Sequence, residues 1–266
     1  MRFLGFFLTE AFFQMKNVMF NTINIIKVLD FEMNYSVKMM ESDVVAALKY
    51  LVLYAIINFD QQYSKKAREL LERAGVNGYI IVSRFNRKDL PKCTLACSVG
   101  LGVIGIVLMD NELLDSPSYS EELKEFILAH EIAHIIRGHI LSKIFIKFLM
   151  EFSMQALKDS IESSGKAKDV LARLFDLIMI VFLRATFKFV TEVDQQIVKR
   201  EELEADEIAI KLAGCHGAVM FAKILEQLKA QGYNISHESI LGFPALTLEE
   251  RIRHIYQKCG QREWRN

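Results

Sequence analysis

The sequence predicts an α+β protein that is mostly α-helical, with a small β-sheet and a long apolar helical hairpin. Three observations carry that prediction. Glycine and proline are sparse, 13 and 3 among 266 residues, so helices are long and turns few. Two short β-branched runs, GYIIVSRF and GLGVIGIVLMD, are flanked by glycine, asparagine or aspartate as strands are. From Ser120 onward the pattern is helical nearly to the end.

Taken in order, residues 1–30 carry Phe3, Phe6, Phe7, Ala11 and Phe12 at helical spacing, broken by Glu10, Lys16 and Lys27. One or two amphipathic helices follow, able to lie on a bilayer or on the rest of the protein. The start resembles a secretion signal, but Glu10 interrupts the apolar run, Arg2 is its whole basic region, and no small-x-small site follows. It reads as retained. Val44–Phe59 bears one charge, Lys49, and is shorter than the roughly 20 apolar residues of a spanning helix. Buried and membrane-dipping helices both remain open for it. It reads as running on into DQQYSKKARELLERAG, which ends at Gly75, a natural cap.

The two strand runs enclose NRKDLPKCTLACSVG, a loop with room for a third strand. Ser120, Glu121 and Glu122 suit a helix start. The apolar hairpin is ILSKIFIKFLMEFSMQAL and VLARLFDLIMIVFLRATFKFV, joined by KDSIESSGKAKD. Charges at Lys143, Lys147, Glu151, Arg173, Asp176 and Arg184 favour one apolar face over a membrane span. The chain thus divides into an N-terminal apolar helical segment, 1–60, and a main domain, 61–266.

With 33 basic and 33 acidic residues, the chain lacks the positive excess that phosphate binding needs, and nucleic acid is excluded as the main partner. Hydrophobic content of 52% points to a large core or to lipid contact. Cys93, Cys97, Cys215 and Cys259 have no zinc-finger spacing. They are expected as buried free thiols in a reducing compartment.

The chemistry lies in AHEIAHIIRGH. On a helix His134 falls about 40° from His130, one turn along the same face. Two neutral imidazoles so placed converge on one cation, zinc by default. Glu131, about 100° round, can reach a water there and take its proton. This H-E-x-x-H pattern arises by chance roughly 0.01 times in a chain of this composition. His139 falls about 180° from His130 and fails as a third ligand, so it is expected to be structural. A third ligand must come from elsewhere, and KREELEADEIAIKLAG stacks acids on a helix. Glu202 and Asp206 share an otherwise apolar face and need partners. Glu202 as ligand and Asp206 as acceptor for a ligand histidine would satisfy both; Glu201 and Glu204 compete with Glu202.

AHEIAHIIRGH, then REELEADEIAI, then LTLEERIRHI together resemble the HtpX-type zinc metallopeptidases, gluzincins related to the prenyl-protein (CAAX) endoprotease. The likeness spans about Ala67–Ile255. It implies a zincin-like catalytic domain with Zn2+ held by His130, His134 and Glu202, Glu131 as general base, and Asp206 beside a ligand. It also implies a polypeptide substrate added along a sheet edge, with Ile104–Met109 as that edge. Two departures stand out: Phe243 precedes Pro244 where the family has a His-Pro pair before E-E-R-I, and CTLAC replaces its Asn-Ala. The oxyanion donor is therefore open among Tyr233, His237 and Arg251. The expected protein is a membrane-associated zinc metalloendopeptidase with possible bilayer contact and a cytoplasmic catalytic domain. The rival expectation is a membrane-associated binding or chaperone-like protein with a structural or vestigial zinc site.

Overall fold

The computed structural model describes residues 49–86, 88, 95–147, 151, 155, 170–239 and 242–263. The amphipathic helices expected within residues 1–30, the start of the Val44–Phe59 run, and the hairpin's joining segment lie outside the described residues.

Residues 49–57 form a first helix, α1. It does not run on, because Phe59 bridges to Ser83 and the Asp60 side chain caps a new helix, α2 (Gln61–Arg73), accepting from Tyr63 N. An N-cap aspartate interrupts a helix to start another, which the continuous apolar-to-charged run concealed. Gly75 follows α2 with φ 69°.

Three strands come next: β1 (Tyr79–Phe85), β2 (Ala96–Leu101) and β3 (Ile104–Asp110). The run GLGVIGIVLMD is thus not one strand, since Gly102, at φ 64°, turns the chain between β2 and β3. The order is β1-β3-β2, with β3 parallel to β1 and antiparallel to β2. This corrects the expected edge: Ile104–Met109 lies in the central strand, and β1 and β2 are the edges among the described residues. The near-continuous apolar run of β3 is what a strand buried on both faces requires. Alternate residues face opposite ways. Ile80, Val82, Val107 and Met109 join the main core, while Ile81, Phe85, Ile106 and Leu108 pack with Ala55 and neighbours on α1.

After a short helix, α3 (Asn111–Asp115), the main helix α4 (Glu121–Arg137) starts at Ser120, whose hydroxyl accepts from Leu123 N. Eleven of its 17 residues are buried, so it is the central helix of the core. It stops at Gly138, whose left-handed φ of 67° only glycine adopts cheaply. Helix α5 (139–147) follows.

Helix α6 (Val170–Ala213) is a single 44-residue element. The expected long apolar hairpin is not found among the described residues. Its second limb is the front half of α6, continuous with the acidic segment, because no glycine or proline interrupts the run. No described helix is long and apolar enough to cross a membrane. Helix α7 (Cys215–Ala230) packs so closely on α4 that a Cβ at Gly217 would collide with the Glu122 carbonyl oxygen. The strands β4 (Ile235–Glu238) and β5 (Pro244–Thr247) pair antiparallel and lead into α8 (Leu248–Glu263).

The cysteines depart from expectation. Cys215 and Cys259 form a disulfide between α7 and α8, with Cα atoms 5.5 Å apart, and Cys97 is also disulfide-bonded. The separation of 44 residues hides this pairing from any spacing rule. Closing a loop of that length is worth about 4 kcal/mol. The Cys215→Ser, Cys259→Ser double variant is expected to lose stability of about that size in denaturant unfolding, and an unchanged midpoint would refute the contribution.

Candidate metal centre

Helix α4 carries His130 and His134 one turn apart on its buried surface, and it packs against the C-terminal half of α6, which carries Glu202 and Asp206. All four are buried. The His130 and His134 Nε2 atoms are 3.1 Å apart. Glu202 Oε2 is 3.4 Å from His130 Nε2, and its Oε1 is 3.5 Å from His134 Nε2. These three side chains can hold a metal ion, each offering a ligand atom within 4.8 Å of the others. Glu202 is buried, and its Oε2 faces both His130 and His237. Two imidazoles with a carboxylate are a zinc donor set.

The competitors of Glu202 are occupied elsewhere. Glu201 accepts from the Ser142 hydroxyl, and Glu204 accepts from Arg137 Nε at 2.7 Å. Both point away because positions one and two residues from Glu202 lie about 100° and about 200° round the helix.

Behind the cluster, Asp206 Oδ1 lies 2.9 Å from His130 Nδ1. Arg251, on α8, donates to both oxygens of Asp206 at 2.8 Å. This fork is a strong, charge-assisted contact. The Arg251 guanidinium is thereby committed to Asp206. Tyr233 is exposed. His237, on β4, faces the cluster: its Nε2 lies 3.2 Å from Glu202 Oε2. Arg251 Nη1 lies 3.2 Å from His237 Nδ1. Arginine only donates, so His237 Nδ1 accepts and its proton sits on Nε2, aimed into the site.

Burial opposes charge on His130, but Asp206 and Glu202 outweigh it and lift its pKa to about 9. For His134, burial reinforced by the neighbouring His130 pushes the pKa well below the usual range. Burial likewise lowers His237 to about 4, so it is neutral near pH 7. Burial favours the neutral form of Asp206, yet Arg251 and His130 hold its carboxyl well below the ordinary range. Glu202 is also depressed: His237, His130 and His134 overcome its burial. Glu131, half-buried beside the ligands, has its pKa raised by burial and hydrogen-bonds Ser98 of β2.

The profile of peptidase family M48 matches residues 96–255, well over half of the chain. The protein belongs to peptidase family M48. The matched stretch of this M48 chain runs from the first residue of β2 through the ligand helices to Ile255, four residues past Arg251. It places the chain among the metallopeptidases, which are hydrolases. Among curated proteins, none matches the chain significantly.

Sequence reasoning missed the contact between His139 and His134, with Nδ1 atoms 2.7 Å apart. The glycine immediately before His139 was the available signal, since a left-handed turn voids the angular count of a continuous helix. It also missed that Arg251 grips Asp206, a contact made across 45 residues.

Because His130 is protonated below about pH 9 in the metal-free protein, a bound cation must displace that proton. Zinc binding at pH 7 is expected to release about one proton per ion and to tighten as pH rises. Calorimetry in buffers of different ionisation enthalpy checks this, and a buffer-independent heat would refute it.

Proposed function

We propose that this M48 chain is a zinc-dependent endopeptidase of the HtpX type, with His130, His134 and Glu202 as the metal ligands. The observation that carries the reading is the convergence of those three side chains from two helices, with Glu131 beside them. A structural zinc site closes with four protein ligands, whereas a catalytic one keeps a position open. Three such groups converge among the described residues, which favours the enzyme over a binding protein with a structural site.

Zinc held there supplies Lewis acidity that brings the pKa of water towards neutrality. Glu131 takes the proton of the attacking water and delivers it to the departing amine; its raised pKa suits both acts. The neutral His237 Nε2–H is the donor for the developing oxyanion. Asp206, neutralised by Arg251, keeps the His130 ring in place.

The substrate is a polypeptide that adds as a strand to β2. Among the described residues β2 pairs on one side alone, with β3, and its residues are partly accessible. Its Ser98 bonds Glu131, so a chain docked there lies against the base.

The reading also includes membrane association. It is supported by the apolar N-terminal sequence and by exposed Leu141, Ile144, Phe145, Phe187 and Phe189. For the compartment, the paired cysteines favour an oxidising milieu for the catalytic domain over the cytoplasm expected from free thiols.

Glu131→Gln is expected to retain zinc while cleavage of unfolded casein drops by about 10²–10⁴-fold. Activity equal to wild type would end the endopeptidase reading.

A further inference from the structure

His139 stands outside the ligand set but against it. Its Nδ1 is 2.7 Å from His134 Nδ1, and the two rings meet edge to face, tilted by 75° with centroids 4.8 Å apart. On a continuous helix, residues five apart point about 140° away from each other. Gly138, at φ 67°, turns the chain after the last turn of α4 and returns His139 over His134. The side chain is buried. On its far side, His139 Nε2 lies 3.7 Å from Glu204 Oε2, and Glu204 is held by Arg137.

Two imidazole nitrogens at this distance form a hydrogen bond only if one donates and the other accepts. The His134 Nε2 faces His130 and Glu202, where a lone pair is needed for a cation. Its single proton then sits on Nδ1 and points at His139. The His139 Nδ1 must accept, which leaves the His139 proton on Nε2, on the side of Glu204.

We propose that His139 is a positioning residue that holds His134 in its Nδ1–H tautomer with Nε2 turned to the metal. Glu204, held by Arg137, lies 3.7 Å behind it. The two ligand rings are therefore oriented by different chemistry. His130 is gripped by a carboxylate neutralised by an arginine, and His134 by a neutral imidazole. This inference rests on the zinc reading above.

The test is Zn2+ affinity, by chelator competition, for wild type, His139→Phe and His139→Asn, with metal-free Tm recorded beside it. Phe fills the ring's space without an acceptor, and Asn sets an oxygen near the Nδ1 position. Phe is expected to weaken zinc binding by about 10–100-fold, the scale of such outer contacts, and Asn to recover most of that loss. Phe binding zinc like wild type, or Asn binding as weakly as Phe, overturns the proposal. Nitrogen NMR of zinc-loaded wild type gives a readout that needs no variant to fold. The His139 proton is expected on Nε2, and finding it on Nδ1 overturns the proposal. Wild type that binds no zinc would instead overturn the underlying zinc reading, and this inference with it.

Discussion

Two carboxylates buried on one face of α6 dictate much of this architecture. Glu202 and Asp206 neighbour the buried Ala205, Ala209 and Ile210 on that helix. A carboxylate in such surroundings stays ionised only if cationic or donor groups surround it. Asp206 has Arg251 and His130. Glu202 has three imidazoles near it. The need to neutralise these acids draws α4, α8 and β4 together at one point, and that point is the candidate metal centre.

The rest of the fold brings the groups to that meeting place. The β2–β3 hairpin lies over α4, where Ile135 fits against Gly105 so tightly that a Cβ there would meet its side chain at 2.6 Å. Gly102 N donates to the Ile135 carbonyl, tying the hairpin to the last turn of the ligand helix. The edge strand β2, Glu131 and the His130–His134 pair are thereby held as one body. On the other side, the Cys215–Cys259 link joins α7 to α8, the helix that carries Arg251.

Legibility in the sequence followed the range of the interaction. Ser120 as a cap, His130 and His134 on one face, and Glu202 with Asp206 on another are relations within five residues, where helical geometry alone suffices. The choice among Glu201, Glu202 and Glu204 was not legible, because it depends on how α6 is rotated against α4. The extent of α6 was misjudged because a change from apolar to acidic composition was read as a boundary, although nothing in Val170–Ala213 breaks a helix. The central place of β3 was missed because pairing partners are chosen by the whole sheet.

By itself the sequence determined which chemical groups were available and their spacing along each helix: two imidazoles and a base on one, two acids on another. Tertiary structure alone decided which acid faces those imidazoles, that Arg251 grips Asp206, that His139 folds back upon His134, and which strand is central. The reason is physical. Spacing along a helix is set by local covalent geometry, whereas rotation and approach between elements are set by how a crowded interior fills its volume and satisfies its buried charges.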